Sequence, residues 1–496
     1  MSYVLRNRQQ DAVDNMITFI NSKKDKGIFV YPTSFGKSLV IANVANKFSN
    51  SYFINVTSSK ELVKQNFEKF TSYGLKADIC SASLNSNDVG KITFATIGTL
   101  VKHANYLKDK SVILLHDECH LSSKSGSILD EFTKKLNNVK LIGTTATPFR
   151  LSASMSGTML KMMNRDRDCI YKTIEDIVQI KDVVDDGYWS KLIYEDVQVD
   201  ESSLQLNGSG TEYTDTSIKK FNEDNDIINL TITQVNRLIE QGRKSILVSV
   251  PFIEDATKIA SLLDDCEAVY SGMDSKERDR IINDFKELKL KVVVQVSILT
   301  VGFDHPQLDA VIMAKPTNSL TFFYQILGRL VRIHPSKKDG LVVDLSGNYR
   351  KFGRIEDLSI EKQTYTRGWA CFSGDNLLTN FPLNTLNRPT RKSLIYKEKY
   401  KAKQDLAKPI IFTFGKYKDK TVDAVYKENK SYLTWLLDQK DFNWFGESGK
   451  NLKKAIQMKL GVYKEITINN KPIDMRVTLL AHIEKYRNVK DLSEIF

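Results

Sequence analysis

A tight loop ending in Gly36-Lys37-Ser38 is the feature that most constrains the fold of this chain. The apolar residues 27–31 before it predict a buried strand, and residues 39–48 after it have a helical pattern. Strand, loop and helix in this order direct backbone N–H groups and the positive end of the helix dipole toward one anion. The stretch predicts a phosphate-binding loop, although its last three residues alone are also typical of an ordinary strand–turn–helix corner.

The side chains of this loop have separate expected roles. Lys37 is placed to reach the β- and γ-phosphates of ATP, and the Ser38 hydroxyl to ligate Mg²⁺. The other nucleotide-binding residues expected here are Thr33, Ser34 and Gly36. Tyr31 stands where the full pattern has glycine, and Ser34 where many loops of this kind have glycine. Because Tyr31 and Ser34 replace glycine, the pattern alone does not predict the exact backbone geometry of this loop.

An acidic pair follows a second apolar strand, predicted over residues 111–115. In open parallel sheets, ligands lie at the carboxyl ends of the strands. Asp117 is therefore expected to hold Mg²⁺, and Glu118 to orient or deprotonate the attacking water. Such a pair usually forms a turn, but its position after a phosphate loop favours the catalytic role. His120, two residues later, has a structural role as its alternative.

Two further polar positions are expected to serve the same site. The side-chain amide of Gln9, about twenty residues before the loop, is able to hydrogen-bond both edges of an adenine. Thr145 and Thr147 follow a strand predicted over residues 139–143. Their hydroxyl groups are expected to relay hydrogen bonds between the phosphate site and a neighbouring domain, with a simple turn as the alternative.

The second half of the chain contains a pair of arginines with helical spacing. Residues 321–332 predict a helix that carries Gln325, Arg329 and Arg332. The two arginines lie about one turn apart, on nearly one face. Directed across a cleft, two guanidinium groups would stabilise the charge on a transferring γ-phosphoryl group. Taken alone, the pair is also typical of a solvated helix face.

The order of these motifs over residues 3–360 resembles that of superfamily 2 helicases and translocases. The resemblance implies an α/β fold of two tandem RecA-like parallel-sheet lobes that bind ATP and Mg²⁺ between them. The catalytic residues it implies are Lys37, Asp117, Glu118, Gln325, Arg329 and Arg332. Coupling between the lobes is expected from His120, Thr145 and Thr147. Further nucleotide contacts are expected from Gly302 and Asp304, and nucleic-acid contacts from Ser58, Thr96, Thr99 and Thr300.

A narrower resemblance rests on residues 344–358, which include Asp344-Leu345-Ser346-Gly347-Asn348. This stretch is similar to RadD-like bacterial DNA-repair helicases, with phage branch-migration helicases of the UvsW type a near second. The resemblance implies a motor for single-stranded, forked or branched DNA in repair, recombination or replication. Single-strand-binding or recombination proteins are the expected protein partners. RNA unwinding, and movement on double strands without separating them, remain alternatives.

The last fifth of the chain carries almost all of the net charge of +12. Residues 387–496 contain 24 lysines and arginines against 13 aspartates and glutamates. The excess favours a polyanionic partner, nucleic acid first, with a solvated lysine-rich surface as the alternative. Residues 412–418 and 431–437 resemble the small C-terminal module of exodeoxyribonuclease-X-like proteins, which is distinct from their nuclease domain.

Aromatic residues in this basic segment have two possible roles. Tyr417, Tyr432, Trp435 and Trp444 either stack nucleic-acid bases or form a small core under a basic surface. Asp419 with residues 428–430 mimics a metal-nuclease pattern, but it falls in helical sequence where a strand is needed. A small basic α+β module is therefore the expected structure, and a helicase–nuclease is a minor alternative.

The 496 residues suit about three domains. The expected division is lobe 1 over 1–170, a connection over 171–225, lobe 2 over 226–362, a linker over 363–408 and the basic module over 409–496. Residues 152–168 are predicted to form a mobile loop. No apolar run approaches a membrane span, the N-terminus is polar, and the five cysteines are scattered, which fits a reducing cytosol. The resemblance to bacterial and phage helicases implies the cytoplasm of a bacterial or phage-infected cell.

Overall fold

The computed structural model describes most of the first 391 residues and parts of the remainder. The described residues are 4–154, 157–298, 303–363, 368–383, 388–391, 393–394, 410–413, 415–438, 452–453, 455–457, 459–460, 466–468 and 471–473. The chain divides into two compact units, Met1–Ser393 and Leu394–Phe496. Among the described residues, no helix has the length and apolar character needed to span a membrane.

The first lobe is built on an eight-stranded sheet with helices around it. Its strands, and those of an added hairpin, are β1 Lys26–Val30, β2 Tyr52–Thr57, β3 Asp78–Ser81, β4 Ser86–Asn87, β5 Ile92–Thr96, β6 Ser111–Asp117, β7 Asn138–Thr145, β8 Phe149–Ser154, β9 Gly157–Met162 and β10 Ile174–Ile177. Its helices are α1 Asn7–Ile20, α2 Lys37–Lys47, α3 Lys60–Thr71, α4 Ile97–Leu100, α5 Ala104–Leu107, α6 Ile128–Lys134 and α7 Ile180–Asp185. The sheet order is β10-β1-β7-β6-β2-β5-β3-β4, and all neighbours are parallel except β3 and β4.

This order brings the sequence motifs of the first half to one edge of the sheet. Strands β1, β7 and β6 are adjacent, and their apolar residues are buried, as expected for a parallel sheet covered on both faces. In the register, Val30 pairs with Thr145 and Asp117 with Thr144. The phosphate-binding loop, the acidic pair and the threonine motif therefore leave the sheet side by side at its carboxyl edge.

The segment after the threonine motif forms a β-hairpin, so the predicted mobile loop over residues 152–168 is wrong. Strands β8 and β9 pair antiparallel from Phe149↔Met162 to Ser154↔Gly157. The β9 backbone also pairs with a distant segment, since the Leu383 N–H donates to the Thr158 carbonyl at 2.7 Å. The mixed Ser, Thr and Met sequence has little apolar signal, and its stabilising partner lies more than 200 residues away.

The second lobe is a six-stranded, fully parallel sheet in the order β11-β16-β15-β12-β14-β13. Its strands are β11 Leu192–Asp196, β12 Ile246–Ser249, β13 Cys266–Val269, β14 Val292–Gln295, β15 Ala310–Met313 and β16 Gly340–Asp344. Its helices are α8 Asp215–Asp224, α9 Ile227–Glu240, α10 Ile253–Ser261, α11 Ser275–Lys286, α12 Leu320–Leu330 and α13 Asn348–Phe352. A small antiparallel sheet follows, with strands β17 Leu358–Lys362, β18 Trp369–Ser373 and β19 Asn376–Leu377.

Two strands lie inside the range 171–225, which is predicted to be a connection. Strand β10 pairs with β1 in the first lobe, and β11 pairs with β16 in the second. Both are short strands that carry acidic residues, and each lies at the edge of its sheet. Such edge strands have a weak apolar pattern because one side of the strand is unpaired and partly exposed. The sheet of the first lobe therefore includes a strand beyond the predicted end of that lobe at residue 170. The sheet of the second lobe includes a strand before its predicted start at residue 226.

Among its described residues, the second compact unit has helices α14 Val422–Glu428 and α15 Lys430–Asp438, and a hairpin of β20 Ile466–Ile468 with β21 Lys471–Ile473. Residues 452–453, 455–457 and 459–460 are helical as well. A small apolar cluster forms its core, and Phe412, Tyr417, Val425 and Leu433 belong to it. Asp419 lies in a turn and Glu428 ends α14, so these two side chains are not presented by a strand. The predicted linker over 363–408 is wrong in its described part, because β18 and β19 lie in it and pair with β17 and with each other. Trp444 and the rest of that range lie outside the described residues.

Candidate active site

The phosphate-binding loop adopts a conformation that explains why glycine is common at two of its positions. Ser34 has φ +62° and Gly36 has φ +89°, both in the left-handed region. Serine tolerates this conformation at a cost, whereas Gly36 has a second constraint. A Cβ atom at residue 36 would lie 2.4 Å from Gln9 Nε2. Glycine at position 36 is therefore needed for both backbone conformation and space.

We expect Gly36→Ala to weaken nucleotide binding more than tenfold and to destabilise the first lobe. Gly126→Ala is the matched control in the same lobe, because Gly126 has φ +75° but an added Cβ there would meet no atom within 4 Å. Both changes impose left-handed strain of about 1 kcal/mol, and the Gly36 change alone displaces Gln9. Fluorescent-nucleotide titration and urea unfolding measure the two effects. Equal nucleotide affinity in the two variants would contradict the steric argument.

Tyr31 occupies its unusual position by packing under the loop. The side chain is 1% exposed, and its ring lies 5.2 Å from that of Phe35. Its hydroxyl donates to Asp176 Oδ2 at 3.0 Å, and burial together with this carboxylate raises the pKa of Tyr31 well above its usual value. The loop thus departs from the glycine pattern where a buried aromatic residue supports it from below.

Lys37 bridges the loop and the acidic pair. Its Nζ lies 2.5 Å from Asp117 Oδ1 and 3.2 Å from Glu118 Oε1. Burial opposes the charged ammonium, but the two carboxylates outweigh it and raise the pKa of Lys37. For Glu118, burial favours the neutral acid, but Lys37 and His120 dominate and hold its pKa well below the usual range. The ammonium of Lys37 and the carboxylate of Glu118 are therefore both charged at neutral pH.

The donor set at this edge fits a magnesium ion bound together with a nucleotide. Ser38 offers a hydroxyl and Asp117 a carboxylate, the hard oxygen ligands that Mg²⁺ prefers. The Lys37 ammonium on Asp117 shows that this carboxylate already faces a cation. Within the described part of the chain, no cluster of three histidine, cysteine or acidic side chains is arranged to hold a metal. Magnesium that is completed by phosphates and water needs no such cluster.

Two residues that the sequence analysis missed contact these expected ligands. Asn66 Nδ2 donates to Asp117 Oδ2 at 3.0 Å. The Tyr73 hydroxyl lies 2.9 Å from Ser38 Oγ, in a hydrogen bond. Both come from α3 and the turn after it, a segment whose helical pattern does not indicate a role in the site.

His120 joins the acidic pair to the threonine motif and to the second lobe. Its Nδ1 lies 3.3 Å from Glu118 Oε2 and 2.9 Å from Thr145 Oγ1. Its Nε2 lies 3.3 Å from Gln325 Nε2, so the Gln325 amide donates when the imidazole proton is on Nδ1. The Thr147 N–H donates to Thr145 Oγ1 at 3.0 Å. A continuous hydrogen-bond network therefore runs from Glu118 across the gap between the lobes.

A second contact between the lobes involves the phosphate-binding loop itself. The backbone N–H and the hydroxyl of Thr33 both donate to the Tyr324 hydroxyl, each at 3.2 Å. Trp189 Nε1 donates to the Thr33 carbonyl at 3.0 Å. Gly328 lies against the Thr33 side chain, which would sit 3.0 Å from a Cβ at position 328. Helix α12 thus packs directly on the loop through its small and aromatic residues.

The two arginines near the end of α12 converge on one backbone carbonyl. Arg329 and Arg332 donate to the Phe303 carbonyl at 2.9 and 3.0 Å, and Arg332 also pairs with Asp304 Oδ1 at 3.0 Å. Burial and the neighbouring Arg332 lower the pKa of Arg329 to about 9, while Glu118 acts in the opposite direction. The Arg329 guanidinium therefore remains charged at pH 7 and is held beside the site.

Gln9 lies directly under the loop. Its Nε2 donates to the Phe35 carbonyl at 2.8 Å, and its Oε1 accepts from the Arg6 N–H at 3.0 Å. The Arg6 guanidinium also donates to the Phe35 carbonyl and stacks 3.7 Å above the Tyr188 ring. Adenine recognition by Gln9 stays a prediction. Arg6 and Tyr188 are further candidate residues of the site, and the sequence analysis missed both. The sequence does place Arg6 three residues before Gln9, and this short spacing is the signal that would have indicated Arg6.

Three of the residues expected to touch nucleic acid lie at the ends of strands β2 and β5. Ser58 lies just after β2. The Thr96 and Thr99 hydroxyls hydrogen-bond each other at 3.1 Å at the end of β5, and Thr99 Oγ1 accepts from the Ala82 N–H at 3.0 Å. Their contacts with a strand stay predictions. Thr300 and Gly302 lie outside the described residues.

Comparison with known protein families identifies the class to which the two lobes belong. Residues 2–150 match the family described as type III restriction enzyme, res subunit, and residues 226–334 match the helicase conserved C-terminal domain. Residues 412–441 match the exodeoxyribonuclease X-like C-terminal family. The two lobes thus match two separate domain families, the second of them a helicase domain, in the order that the resemblance to superfamily 2 helicases predicts. The predicted fold of two RecA-like parallel-sheet lobes is confirmed.

Individual relatives are distant. A protein of Saccharomyces cerevisiae named as an ATP-dependent helicase, IRC3, is 24% identical over 372 residues, which cover 69% of this chain and 52% of that protein. The 51.5 kDa protein of Lactococcus phage (isolate 7-9) is 23% identical over 68% of this chain and 69% of its own length. The ATP-dependent type ISP restriction-modification enzyme LlaBIII, solved bound to DNA, matches with a TM-score of 0.52 and 13% identity, over 100% of this chain and 40% of that one. The chain thus spans about half the length of IRC3.

Proposed function

We propose that this protein is an ATP-driven motor that moves on or unwinds DNA. The observation that carries the proposal is the hydrogen bond between Gln325 and His120. It connects the Glu118 carboxylate in lobe 1 to α12 in lobe 2, the helix that presents Arg329. A protein that only binds nucleotide needs no such connection. A motor needs it, because the state of the bound nucleotide must change the relation between its lobes.

Each residue of the site has a separate proposed role in phosphoryl transfer. Lys37 leaves its carboxylate partners to contact the β- and γ-phosphates, and Glu118 then orients the attacking water and accepts its proton. Ser38 and Asp117 would hold Mg²⁺, which neutralises charge on the phosphate oxygens when it is bound. Arg329 and Arg332, presented by α12 and its end, stabilise the charge that spreads over the γ-phosphoryl group. Asp304, which pairs with Arg332, is proposed to face the nucleotide as well, and Gly302 stays a predicted nucleotide contact.

The lobe contacts provide a route for coupling. The Tyr324 hydroxyl accepts hydrogen bonds from the Thr33 N–H and hydroxyl. A shift of the loop on nucleotide binding would therefore move or break these bonds to α12. His120, Thr145 and Thr147 form the second route, through Gln325. Hydrolysis and release then alter both contacts together. Repeated closure and opening would move the lobes along one strand held by the residues around Ser58, Thr96, Thr99 and Thr300.

DNA is the substrate that the relatives and the charge favour. The family matched by lobe 1 is named for a restriction enzyme, and LlaBIII was solved bound to DNA. The residues after β16 resemble RadD-like and UvsW-type helicases, which favours forked or branched DNA in repair, recombination or replication. Single-strand-binding or recombination proteins would be its partners, and the cytoplasm of a bacterial or phage-infected cell its place of action. RNA is the alternative polymer.

The basic C-terminal unit is proposed as an accessory nucleic-acid-binding module. Tyr417 is 3% exposed and belongs to the apolar cluster, whereas Trp435 on α15 is 54% exposed. An exposed indole on a lysine-rich unit suits stacking of an unpaired base. Its exposure therefore supports a stacking role for Trp435, and the burial of Tyr417 favours a role in the core.

Steady-state ATP hydrolysis tests the proposal, measured without polymer and with single-stranded DNA, forked DNA and RNA. We expect low turnover without polymer and strong stimulation by DNA, because closure of the lobes is coupled to strand binding. A strand-displacement assay on the fork then separates unwinding from movement alone. Equal stimulation by RNA would favour RNA remodelling, and no stimulation by any polymer would contradict the proposed coupling.

A further inference from the structure

Two side chains from helix α3 and the turn after it hydrogen-bond the two residues expected to ligate magnesium, Asp117 and Ser38. Asn66 lies in the middle of α3, and its amide donates to Asp117 Oδ2 at 3.0 Å. Tyr73 lies two residues beyond the end of the helix, and its hydroxyl is 2.9 Å from Ser38 Oγ. One continuous segment therefore contacts a ligand on β6 and a ligand at the start of α2.

The contact with Asp117 fixes the orientation of its carboxylate. The other oxygen, Oδ1, accepts from Thr144 Oγ1 at 2.8 Å and from the Glu118 N–H at 3.1 Å, and it also faces Lys37. The Asn66 amide holds Oδ2. With a donor on each oxygen, rotation of the carboxyl group would break at least one hydrogen bond. The plane of the carboxylate is thereby set before any nucleotide arrives.

The contact with Ser38 offers its hydroxyl hydrogen an acceptor, the Tyr73 oxygen. A serine that ligates a cation offers an oxygen lone pair to the metal, so its hydrogen must point to another acceptor. The Tyr73 oxygen is such an acceptor at hydrogen-bond distance. When Ser38 donates to Tyr73, its lone pairs are turned away from Tyr73 and are free for a cation. Groups that orient the ligands of a metal in this way commonly change its affinity by about 10- to 100-fold.

We propose that Asn66 and Tyr73 are positioning residues of the magnesium site, which orient Asp117 and Ser38 respectively. The inference rests on the proposed function, because it assumes that a Mg²⁺–nucleotide complex occupies the loop. It goes beyond the helicase motifs described above, which include neither residue. Both act through another side chain, so their loss should alter how nucleotide binding depends on Mg²⁺ before it alters nucleotide binding itself.

The test is equilibrium binding of fluorescent N-methylanthraniloyl ADP to the full chain over a series of Mg²⁺ concentrations. We expect Asn66→Ala and Tyr73→Phe each to raise the Mg²⁺ concentration for half-maximal nucleotide affinity by about tenfold. Affinity in excess EDTA should stay within about twofold of the unaltered chain, because the altered side chains act on the metal ligands alone. Tyr73→Phe keeps the ring and removes one oxygen, so it separates the hydrogen bond from folding.

Matched controls come from the same lobe. Asn137 Nδ2 donates to Asp109 Oδ1 at 2.6 Å just before β7 begins, and the Tyr52 and Tyr106 hydroxyls are 2.8 Å apart where β2 begins. Asn137→Ala and Tyr52→Phe should leave the Mg²⁺ dependence unchanged. Unchanged Mg²⁺ dependence in the Asn66 and Tyr73 variants, or an equal loss of affinity in EDTA, would overturn the inference. Absence of any Mg²⁺ dependence in the unaltered chain would instead contradict the proposed function.

Discussion

Replacing Lys37 with alanine is expected to lower ATP turnover by at least about 100-fold, the typical cost of removing a group that stabilises transition-state charge. Lys37 lies close to both carboxylates, at 2.5 Å from Asp117 and 3.2 Å from Glu118. The same change leaves these two acids without their cationic partner. We therefore also expect the nucleotide-free protein to lose about 3 kcal/mol of unfolding free energy. Steady-state hydrolysis and urea unfolding measure the two effects.

Lys26→Ala is the control for this variant. Lys26 begins β1 at the edge of the sheet opposite the site, and its Nζ lies 3.2 Å from Asp130 Oδ1 in a comparable ion pair. Its loss should reduce stability and leave turnover close to that of the unaltered chain. Normal turnover in Lys37→Ala would show that the loop is not the catalytic phosphate site.

Replacing Arg329 with alanine is expected to lower turnover by about 10³-fold while nucleotide still binds, as for other arginines that complete a phosphoryl-transfer site. Arg329 is held on the Phe303 carbonyl beside Arg332. It belongs to lobe 2, whereas the phosphate-binding loop belongs to lobe 1. The variant should therefore bind nucleotide nearly as well as the unaltered chain and fail at the chemical step. Arg329→Lys should not restore turnover, since an ammonium cannot replace the planar guanidinium fork.

Arg280→Ala serves as the control in the same lobe. Arg280 on α11 is 45% exposed in its side chain and pairs with Glu267, Glu277 and Asp284 at the surface. Turnover should be unaffected by its loss. A strong loss of nucleotide affinity in Arg329→Ala, with turnover of bound nucleotide preserved, would place this arginine in ground-state binding and contradict the proposed role.

Much of the architecture is predictable because parallel sheets have a strong local signal. Strands β1, β6 and β7 and helix α12 lie within a few residues of the bounds predicted for them, which are 27–31, 111–115, 139–143 and 321–332. The failures lie where the local signal is weak. The hairpin of β8 and β9 has the sequence of a loop, and the short acidic strands β10 and β11 have the sequence of a connection, because pairing with distant segments stabilises them.

The sequence by itself predicts which groups carry the chemistry and determines the order in which they occur. A strand, a tight loop ending in Gly36-Lys37-Ser38 and a helix are the local ingredients of a phosphate loop, and an acidic pair after a neighbouring strand follows equally local rules. These features depend on residues within about one element of each other. For that reason, the charge, the type and the approximate place of each reactive side chain follow from the order of residues alone.

The tertiary structure decided which of these groups meet. Gln325 and His120 are 205 residues apart, yet their side chains are in contact. Asn66 and Tyr73 reach the expected magnesium ligands because α3 packs against α2 and against β2, the strand beside β6, a relation that no spacing in the sequence encodes. Contacts of this kind come from the packing of whole elements against each other, and packing depends on the shape of the complete core rather than on any local pattern.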